Sequence, residues 1–266
     1  MATFSERNGY SSVPEKMVPE SMTKELRNLL WNVIDNSVNN QQLRELAQNL
    51  WHNFYKLPID SIPYTSGYNG VSYAKAWQHV REKYFSSPWN GVYDLVEFLV
   101  QNNVVKAEHL NTILIQESAA YRIIGGKVCQ ITDNEEIAAV NEALVLQDRY
   151  KPVAEHISAA LAHFSQRQSP NYRNTIKESI LAVESMAKII TSDNNATLGK
   201  VLNKLESNGK INGALKSGFS SIYGWTSDTN GIRHAMTEAS SVDHVDAKFF
   251  LVACSAFANY LKARGM

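Results

Sequence analysis

Residues 244–263, HVDAKFFLVACSAFANYLKA, decide the fold, because they place apolar side chains on almost every face of a predicted helix. A helix that is apolar nearly all round must be buried, either at the centre of a helical bundle or against a second subunit. Asp243 precedes this run and Asp246 falls in its first turn, so Asp243 is predicted to cap the helix. The stretch predicts a helical bundle in the carboxyl-terminal half of the chain.

Further helices are predicted upstream in the same half. They cover residues 149–167, 172–190 and 197–222, the last interrupted by Asn208-Gly209 and Gly213. In the segment 172–190 the apolar side chains fall within one narrow stripe, which is typical of a helix with one buried face. Residues 148–266 are therefore predicted to form a helical domain.

The first 118 residues are predicted to form a helical module of their own. After a polar arm over residues 1–20, Ser21 is expected to cap a first helix, and a second helix carries apolar residues from Leu43 to Phe54. Prolines and glycines break the pattern over 58–70. Helices are predicted to resume at 73–86, 90–102 and 106–117.

Residues 120–132, AYRIIGGKVCQIT, carry the clearest strand pattern. Two short runs rich in β-branched residues flank Gly125-Gly126, which suits a two-residue turn with positive φ. A lone hairpin is marginal in water, so it should pack on helices. Thr132 or Asp133, with Glu136, then opens a connector helix over 134–146. The predicted fold class is mainly α, with residues 119–147 forming a small β-hairpin and a connector between two helical parts.

The composition limits the function. The 266 residues include 26 basic and 26 acidic side chains, so the formal net charge is zero and gives no overall attraction for nucleic acid or an anionic membrane. Any contact with RNA must be local, in a cleft or along a seam between subunits. The first residues lack the pattern of a secretory signal, and no apolar run is long enough to span a bilayer. We expect a cytoplasmic protein with no membrane contact.

The sequence motifs indicate no cofactor. Cys129 and Cys254 lie far apart between apolar residues, so both are expected to be buried free thiols and not a disulfide or a metal site. No GxxxxGK[ST] phosphate loop, CxxC pair, HExxH or GxSxG motif occurs. An NTPase, a structural zinc protein and a serine hydrolase are therefore disfavoured, and we expect neither a metal nor an organic cofactor.

Several blocks along nearly the whole chain resemble AbiJ-type abortive-infection proteins of bacteria. The blocks FSERNGY (4–10), ESM (20–22) and LRNLLWNV (26–33) resemble their amino-terminal module. Their HEPN (higher eukaryotes and prokaryotes nucleotide-binding) carboxyl-terminal domain is resembled by IKESILAVE (176–184), TLGK (197–200), YGWTSD (223–228), GIRHA (231–235) and DAKFFLVACSAFANY (246–260). The resemblance implies a HEPN-like bundle of four or five helices, commonly a homodimer. The resemblance also implies an activity, since HEPN domains are often metal-independent ribonucleases in phage defence or toxin–antitoxin systems.

The catalytic signature of HEPN domains is an Arg followed after four to six residues by a His, near the start of the last core helix. Such residues suit RNA cleavage without a metal, since His transfers protons near neutral pH and Arg offsets the charge that grows on the phosphate. Arg233 and His234 occupy this place but are adjacent. On helical or turn backbone their side chains diverge by about 100°. They could still meet one phosphate at a dimer seam if each subunit supplies one of the two residues.

Two alternatives stand beside this assignment. Arg233 could instead pair with Asp228 or Glu238 while His234 caps a backbone carbonyl. Arg149 and His156 form the only pair with the strict signature spacing, but they lie on the first helix of the bundle, where the family motif does not sit.

Glu184 is predicted to lie at the margin of the apolar stripe of the 172–190 helix, beside Lys177 and Lys188. A carboxylate there could orient His234 or Arg233, as an outer acid orients a catalytic His. It could equally form an exposed pair with Lys188, one helical turn away. Glu178 is expected to point to solvent.

Candidate RNA contacts surround the Arg–His pair. Tyr223, Trp225 and Asp228 are predicted to form an aromatic and polar loop that either stacks on an unpaired base or covers the bundle as an apolar lid. Lys177 and Lys188 are the candidate phosphate contacts. His244 is either a second proton-transfer group or an ordinary residue of the first helical turn.

The leading hypothesis is a homodimeric, metal-independent HEPN-type endoribonuclease of an anti-phage or toxin–antitoxin system. The resemblance also implies its partners, namely tRNA or mRNA as substrate and an antitoxin or another defence protein. The alternative is a catalytically silent HEPN protein that binds RNA, a nucleotide or a partner protein as a sensor or adaptor. A purely structural scaffold is a third hypothesis, which the zero net charge permits.

Overall fold

The described part of the chain is mainly α-helical, as predicted. The computed structural model describes residues 18–68, 70–166, 171–193, 195, 197–228 and 242–264, with residues 40 and 226–228 described by their backbone only. Over these ranges it contains eleven α-helices and two small antiparallel sheets of two strands each. The chain divides into two compact units, Met1–Gln130 and Ile131–Met266, called the first and second unit below.

Five α-helices lie in the described part of the first unit. They are α1 (Lys24–Ser37), α2 (Leu43–Asn49), α3 (Ala74–Ser86), α4 (Trp89–Gln101) and α5 (Ala107–Gln116). A wide π-helical turn, Leu50–Tyr55, extends α2, and short 3₁₀ turns cover Asn40–Gln42 and Ile59–Ser61. The four longer predicted helices of this unit are therefore confirmed, with ends within a few residues of the predicted ones.

The cap of α1 differs from the prediction. Thr23 precedes the helix in an extended conformation, and its side-chain oxygen accepts a hydrogen bond from the Leu26 amide at 3.1 Å. Ser21, the predicted cap, instead donates its hydroxyl hydrogen to the Val18 carbonyl. Both residue types suit a cap, and the choice between them depends on where the apolar face of the helix must begin, at Leu26.

One apolar core holds the first unit together. Leu26, Leu30 and Ile34 of α1 are fully buried, together with Leu99 of α4 and Leu110 of α5. Arg27 ties α1 to the end of α3, since its guanidinium donates to the carbonyls of Tyr84, Phe85 and Ser87 at 3.0, 3.3 and 2.7 Å. The last carbonyls of a helix lack partners within the helix, so this Arg satisfies the end of α3.

Both sheets are hairpins. The predicted one is confirmed: β3 (Arg122–Ile124) pairs with β4 (Lys127–Cys129), with Gly125 and Gly126 in the turn at φ values of 53° and 76°. The other, β1 (Thr65–Gly67) with β2 (Gly70–Ser72), lies where only a break in the helices was predicted. Its strands are three residues long and fully exposed, so they leave no apolar alternation in the sequence.

Six α-helices lie in the described part of the second unit. They are α6 (Asn134–Leu144), α7 (Lys151–Phe164), α8 (Tyr172–Thr191), α9 (Leu198–Ser207), α10 (Gly213–Asp228) and α11 (His244–Ala263). The predicted connector helix is α6, with Asp133 accepting from the amides of Glu135 and Glu136 at 3.0 Å. It packs on α7 and α11 and so belongs to the second unit.

Helix α11 is the central element of this unit, as predicted from its apolar sequence. It packs against α6, α7 and α8, and it buries Phe250, Leu251, Cys254, Phe257 and Leu261. The predicted Asp243 cap is also confirmed, since its carboxylate accepts from the amides of Val245 and Asp246 while Asp246 accepts from the Asp243 amide.

Both thiols are buried and free, as predicted. Burial raises the pKa of Cys129 and of Cys254 to about 12. None of the helices in the described ranges is long and apolar enough to cross a membrane.

Candidate functional site

The described candidate residues of the second unit lie on α8, on α10 and at the start of α11. Asn171 caps α8, accepting from the Asn174 amide at 3.1 Å, and Ile176, Val183 and Met186 hold the inner face of that helix in the core. The remaining faces of α8 present its polar residues, and Glu184 lies between the two kinds of surface. The predicted position of Glu184 at the core margin is therefore confirmed.

Glu184 is bound by Tyr223 of α10. The Tyr223 hydroxyl donates to Glu184 Oε1 at 2.5 Å, and both side chains are half-buried. A hydrogen bond from a phenol to an ionised carboxylate is short and strong, particularly away from bulk water. The contact joins two of the predicted site residues and fixes the carboxylate that was expected to orient Arg233 or His234.

Tyr223 and Trp225 both belong to the helix α10, so the prediction that they lie in a loop is wrong. Trp225 lies two residues beyond Tyr223 and stacks on the core residue Phe250. The ring centroids are 5.0 Å apart with an interplanar angle of 27°, and Trp225 keeps 37% of its surface exposed. The indole therefore anchors α10 to α11, and part of its surface remains exposed. The contact with Phe250 fits the predicted role of an apolar cover, and stacking on a base stays a prediction.

His244 lies in an aromatic enclosure at the start of α11. Its ring centroid is 4.8 Å from that of Phe164 and 5.9 Å from that of Tyr172, and its Nε2 is buried without a hydrogen-bond partner among the described residues. Burial lowers the pKa of His244, nearby Lys248 lowers it further, and Asp243 partly opposes both. His244 is therefore held as neutral imidazole at neutral pH.

The structure does not bring His244 and Glu184 together. Tyr172, which contacts His244, is at the first turn of α8, whereas Glu184 follows twelve residues later. At 1.5 Å per residue this separation is about 18 Å along the helix, too far for both side chains to act on one phosphate group. The described candidates therefore form two separate clusters, one around Glu184 and Tyr223 and one around His244.

The remaining predicted site residues are either exposed or outside the described part. Lys177 and Lys188 are exposed on α8. Arg233 and His234 lie outside the described residues, and so does the side chain of Asp228. The described residues hold no group of three His, Cys, Asp or Glu that could bind a metal ion.

One pair of side chains was missed by the sequence prediction. His156 Nδ1 of α7 lies 2.8 Å from Glu178 Oε2 of α8, with 32% and 20% of the two side chains exposed. Glu178 was expected to point to solvent, and that expectation is wrong. The pairing arises because α7 and α8 pack closely as neighbours. The spacing of residues along one helix does not show which of them will face residues of a neighbouring helix.

Arg149, which precedes His156 at the strict signature spacing, has no described contact with His156 or Glu178. Arg149 donates from Nη2 to the hydroxyl of Tyr150 at 2.6 Å, and its guanidinium lies 4.8 Å from the centroid of that ring. The described contacts thus give Arg149 and His156 separate partners, Tyr150 and Glu178.

Comparison with known protein families identifies the amino-terminal part of the chain. The family model described as AbiJ N-terminal domain 4 matches residues 2–146, which is more than half of the 266 residues. The chain belongs to the AbiJ N-terminal domain 4 family. Comparisons with curated proteins and with solved structures find no match.

The AbiJ N-terminal domain covers every described element of the first unit and continues through α6. The resemblance of the amino-terminal blocks to AbiJ-type proteins is thereby confirmed. The matched range ends before α7, so the HEPN resemblance, which rests on residues 176–260, stays a prediction.

Proposed function

We propose that this chain is an abortive-infection protein whose second unit is a HEPN-like, metal-independent endoribonuclease. The observation that carries the proposal is the AbiJ N-terminal domain at residues 2–146, followed in the same chain by helices built around α11. In this proposal the first unit senses or gates, and the second unit cleaves RNA at a seam between two copies.

The proposed chemistry uses the 2′-hydroxyl of RNA as nucleophile. His234 takes the proton from that hydroxyl as the new bond to phosphorus forms. The bond to the 5′-oxygen then breaks, and that oxygen takes a proton from the protonated His234 or from water, so that proton gain and loss balance. The products are a 2′,3′-cyclic phosphate and a free 5′-hydroxyl. Arg233 offsets the negative charge on the phosphate throughout, as a guanidinium does well because it is always ionised.

Glu184 and Tyr223 are proposed to act as positioning residues. Their hydrogen bond fixes a carboxylate at the core margin of α8. An acid held in this way can orient a His or an Arg that approaches it, which keeps the proton-transfer geometry constant. The exposed face of Trp225 offers a surface on which an unpaired base can stack, and Lys177 and Lys188 offer charge to the backbone.

His244 fits a proton-transfer role less well. Its Nε2 is buried between aromatic rings, about 18 Å along α8 from the level of Glu184. We propose that His244 is a structural residue that closes the start of α11.

A homodimer is proposed through α11. Val245 and Phe249 lie one turn apart on this helix and are 66% and 51% exposed. Exposed apolar residues at this spacing form a continuous strip on a helix, and a second copy of the chain could cover it.

The alternative is a catalytically silent protein that binds RNA or a partner protein. Two observations favour it: Arg233 and His234 are adjacent in sequence, outside the signature spacing, and His244 is enclosed by Phe164 and Tyr172. A protein of this kind would keep Trp225 and the α8 lysines as contacts and lack proton-transfer groups.

An RNA cleavage assay separates the two. Purified protein is incubated with tRNA and with mRNA in EDTA, beside Arg233→Ala, His234→Ala and His156→Ala, with the exposed residues Arg44→Ala and His109→Ala as matched controls. The proposal expects cleavage by the parent and by His156→Ala and both controls, and none by the first two variants. Cleavage lost only in His156→Ala would move the centre to the His156–Glu178 pair. Binding of RNA without cleavage would establish the alternative.

A further inference from the structure

An open polar cleft lies in the first unit, where the ends of three helices meet. Its volume is about 380 Å³, within the roughly 300–1,000 Å³ that is usual for small-molecule sites. The last residue of α1, the start of α2 and the residues that follow α4 line it, and all of them belong to the first unit. Six lining residues carry a side-chain carboxamide or carboxylate: Asn39, Gln42, Glu45, Asn49, Asn102 and Asn103.

One face of α2 supplies four residues of the cleft. Gln42, Glu45, Leu46 and Asn49 are spaced by three and four residues, which places them on the same side of a helix. Leu46 is buried in the core, whereas Gln42 and Glu45 are exposed. The side chains of Gln42 and Glu45 form no hydrogen bond or ion pair within the described ranges. This face therefore leaves a carboxamide and a carboxylate available to a ligand.

Two asparagines of the cleft are held in place by hydrogen bonds. Asn49 Nδ2 donates to Asn102 Oδ1 at 2.8 Å, and Asn53 Nδ2 donates to Asn49 Oδ1 at 2.6 Å. Asn102 Nδ2 in turn donates to the Phe98 carbonyl at 2.8 Å. A carboxamide oxygen has a second lone pair, so the oxygens of Asn49 and Asn102 can each accept a further hydrogen bond. These acceptors are fixed before a ligand arrives, which lowers the entropic cost of binding.

The charge of the cleft is negative. Helices α1 and α4 end there and α2 begins there. A helix carries about half a negative charge at its carboxyl end and about half a positive charge at its amino end, so the three helices together contribute about half a negative charge. Glu45 adds a full negative charge, and none of the ten lining residues, all within the described part, is basic. The cleft therefore repels phosphates and carboxylates and attracts cations.

Two of the asparagines also have local roles in the backbone. Asn39 Oδ1 accepts from the Gln41 amide at 3.0 Å, and Asn103 follows α4 with a φ of 57°, a conformation that Asn tolerates at the end of a helix. These roles explain the asparagines at those two positions. They do not explain Gln42 and Glu45, whose side chains have no described partner.

We propose that this cleft binds an organic cation through its guanidinium or primary ammonium group. Glu45 provides the opposite charge, and the carboxamide oxygens of Gln42, Asn49 and Asn102 accept the remaining N–H groups. Both kinds of cation donate hydrogen bonds and accept none, which fits a cleft whose fixed groups are acceptors. The cation is either a free small molecule or the Arg or Lys side chain of a partner protein. The inference does not depend on RNA cleavage by the second unit.

Calorimetric titration of the full-length chain tests the proposal. The probes are agmatine for a guanidinium, spermidine for an ammonium group, and the end-blocked tripeptide Gly-Arg-Gly for an arginine side chain. Glucose, a neutral molecule with many hydrogen-bonding groups, is the negative control. Tighter binding of agmatine or spermidine than of the peptide identifies a free small cation. Binding of the peptide at least as tight as that of both identifies the side chain of a partner protein.

Two variants assign the response to the cleft. Glu45→Gln removes the charge with little change of shape and is expected to raise the dissociation constant of the cation about tenfold. Gln42→Leu removes one carboxamide and is expected to raise it about threefold. The matched control for the charge is Glu25→Gln, because Glu25 is exposed in the first turn of α1 as Glu45 is in the first turn of α2. Gln41→Leu, next to Gln42 but outside the lining, is the second control, and both controls should bind like the parent.

Two results would overturn the proposal. The first is that the parent binds none of the three cations, or binds glucose as tightly as it binds them. The second is that Glu45→Gln binds the cation as tightly as the parent does, which would place the cation on another surface. Because Gln42 and Glu45 are exposed, neither substitution removes core packing, and an unchanged melting temperature shows that a loss of binding arises in the cleft.

Discussion

The Tyr223 hydroxyl donates to Glu184 Oε1 at 2.5 Å and so ties α10 to α8 at the margin of the core. The contact links two residues whose blocks, YGWTSD and IKESILAVE, are far apart in the sequence. It therefore offers a direct way to separate a structural role of the carboxylate from a role in positioning.

The Tyr223–Glu184 bond is expected to contribute modestly to stability. Tyr223→Phe should lower the free energy of unfolding by about 1 kcal/mol, because the bond is to a charged group but both partners are partly exposed. Urea denaturation measures this. Tyr260→Phe, a half-buried tyrosine of α11 without a described hydroxyl contact, is the matched control. If Glu184 positions the proposed nuclease centre, Tyr223→Phe and Glu184→Gln should both lower kcat by more than the stability change explains. Unchanged kcat in both would leave the contact purely structural.

The lowered pKa of His244 predicts that the stability of the fold decreases as the pH falls. Because its folded-state pKa is lowered below about 6.5, the folded state binds fewer protons than the unfolded chain. The stability this residue contributes is present above pH 6.5 and is lost as pH falls through and below that value. His244→Phe should therefore flatten the decline of melting temperature between roughly pH 7 and 5. The exposed His109→Phe should leave that decline unchanged. Parallel curves for the parent and His244→Phe would contradict the prediction.

The His156–Glu178 pair should be weak. Its two side chains are 32% and 20% exposed, so solvent screens their attraction. A double-mutant cycle with His156→Ala and Glu178→Ala is expected to give a coupling of about 0.5 kcal/mol at pH 6, falling as salt is added. Denaturant midpoints of the four proteins supply the measurement. A coupling several times larger would indicate a buried and specialised pair.

Arg27 should matter much more for stability. Its guanidinium donates to three carbonyls at the end of α3, and Tyr84 donates back to the Arg27 carbonyl at 2.8 Å. Arg27→Ala leaves those carbonyls without the donor and is expected to destabilise the first unit by about 2 kcal/mol. Arg44→Ala, an exposed change in the same unit, should cost less than about 0.5 kcal/mol. Equal effects of the two substitutions in urea denaturation would contradict this role.

Phe249→Glu tests the proposed dimer. A charge at one of the two residues of the exposed strip of α11 should prevent a second copy from covering it, and light scattering should then report a monomer. Val145→Glu replaces another exposed apolar residue, 68% exposed and not part of α11, and should leave the mass unchanged. The prediction fails if the parent is already monomeric at working concentrations, or if Phe249→Glu remains a dimer.

The sequence predicts the long, strongly patterned elements best. The limits of α11 could be foreseen because apolar residues recur on every face and Asp243 with Asp246 marks its start. The β3–β4 hairpin could be predicted equally well, since Gly125-Gly126 allows the positive φ of the turn. The cap of α1 and the β1–β2 hairpin could not be predicted from the sequence. The choice between Ser21 and Thr23 as the cap depends on packing, and an exposed hairpin has no apolar alternation.

The candidate site was harder to predict, since it depends on contacts between elements. Glu184 could be placed at the core margin from the stripe of α8, but its partner Tyr223 lies on another helix. The same holds for Glu178, whose position opposite His156 is set by the packing of α7 on α8. The burial of Arg122 could not be predicted, because alternation along a short strand does not show that both of its faces are covered.

Each unit contains one buried thiol, and the rate at which a reagent labels that thiol reports how often the unit opens. Cys129 belongs to the first unit and Cys254 to the second, and a thiol with a pKa near 12 is almost entirely protonated and inert toward disulfide reagents at neutral pH. Each one reacts only when its surroundings open. With the other cysteine replaced by Ala, the labelling rate of the full chain reads the opening free energy of one unit alone. If a second copy covers α11, the labelling rate of Cys254 should fall with protein concentration, whereas that of Cys129 should not change.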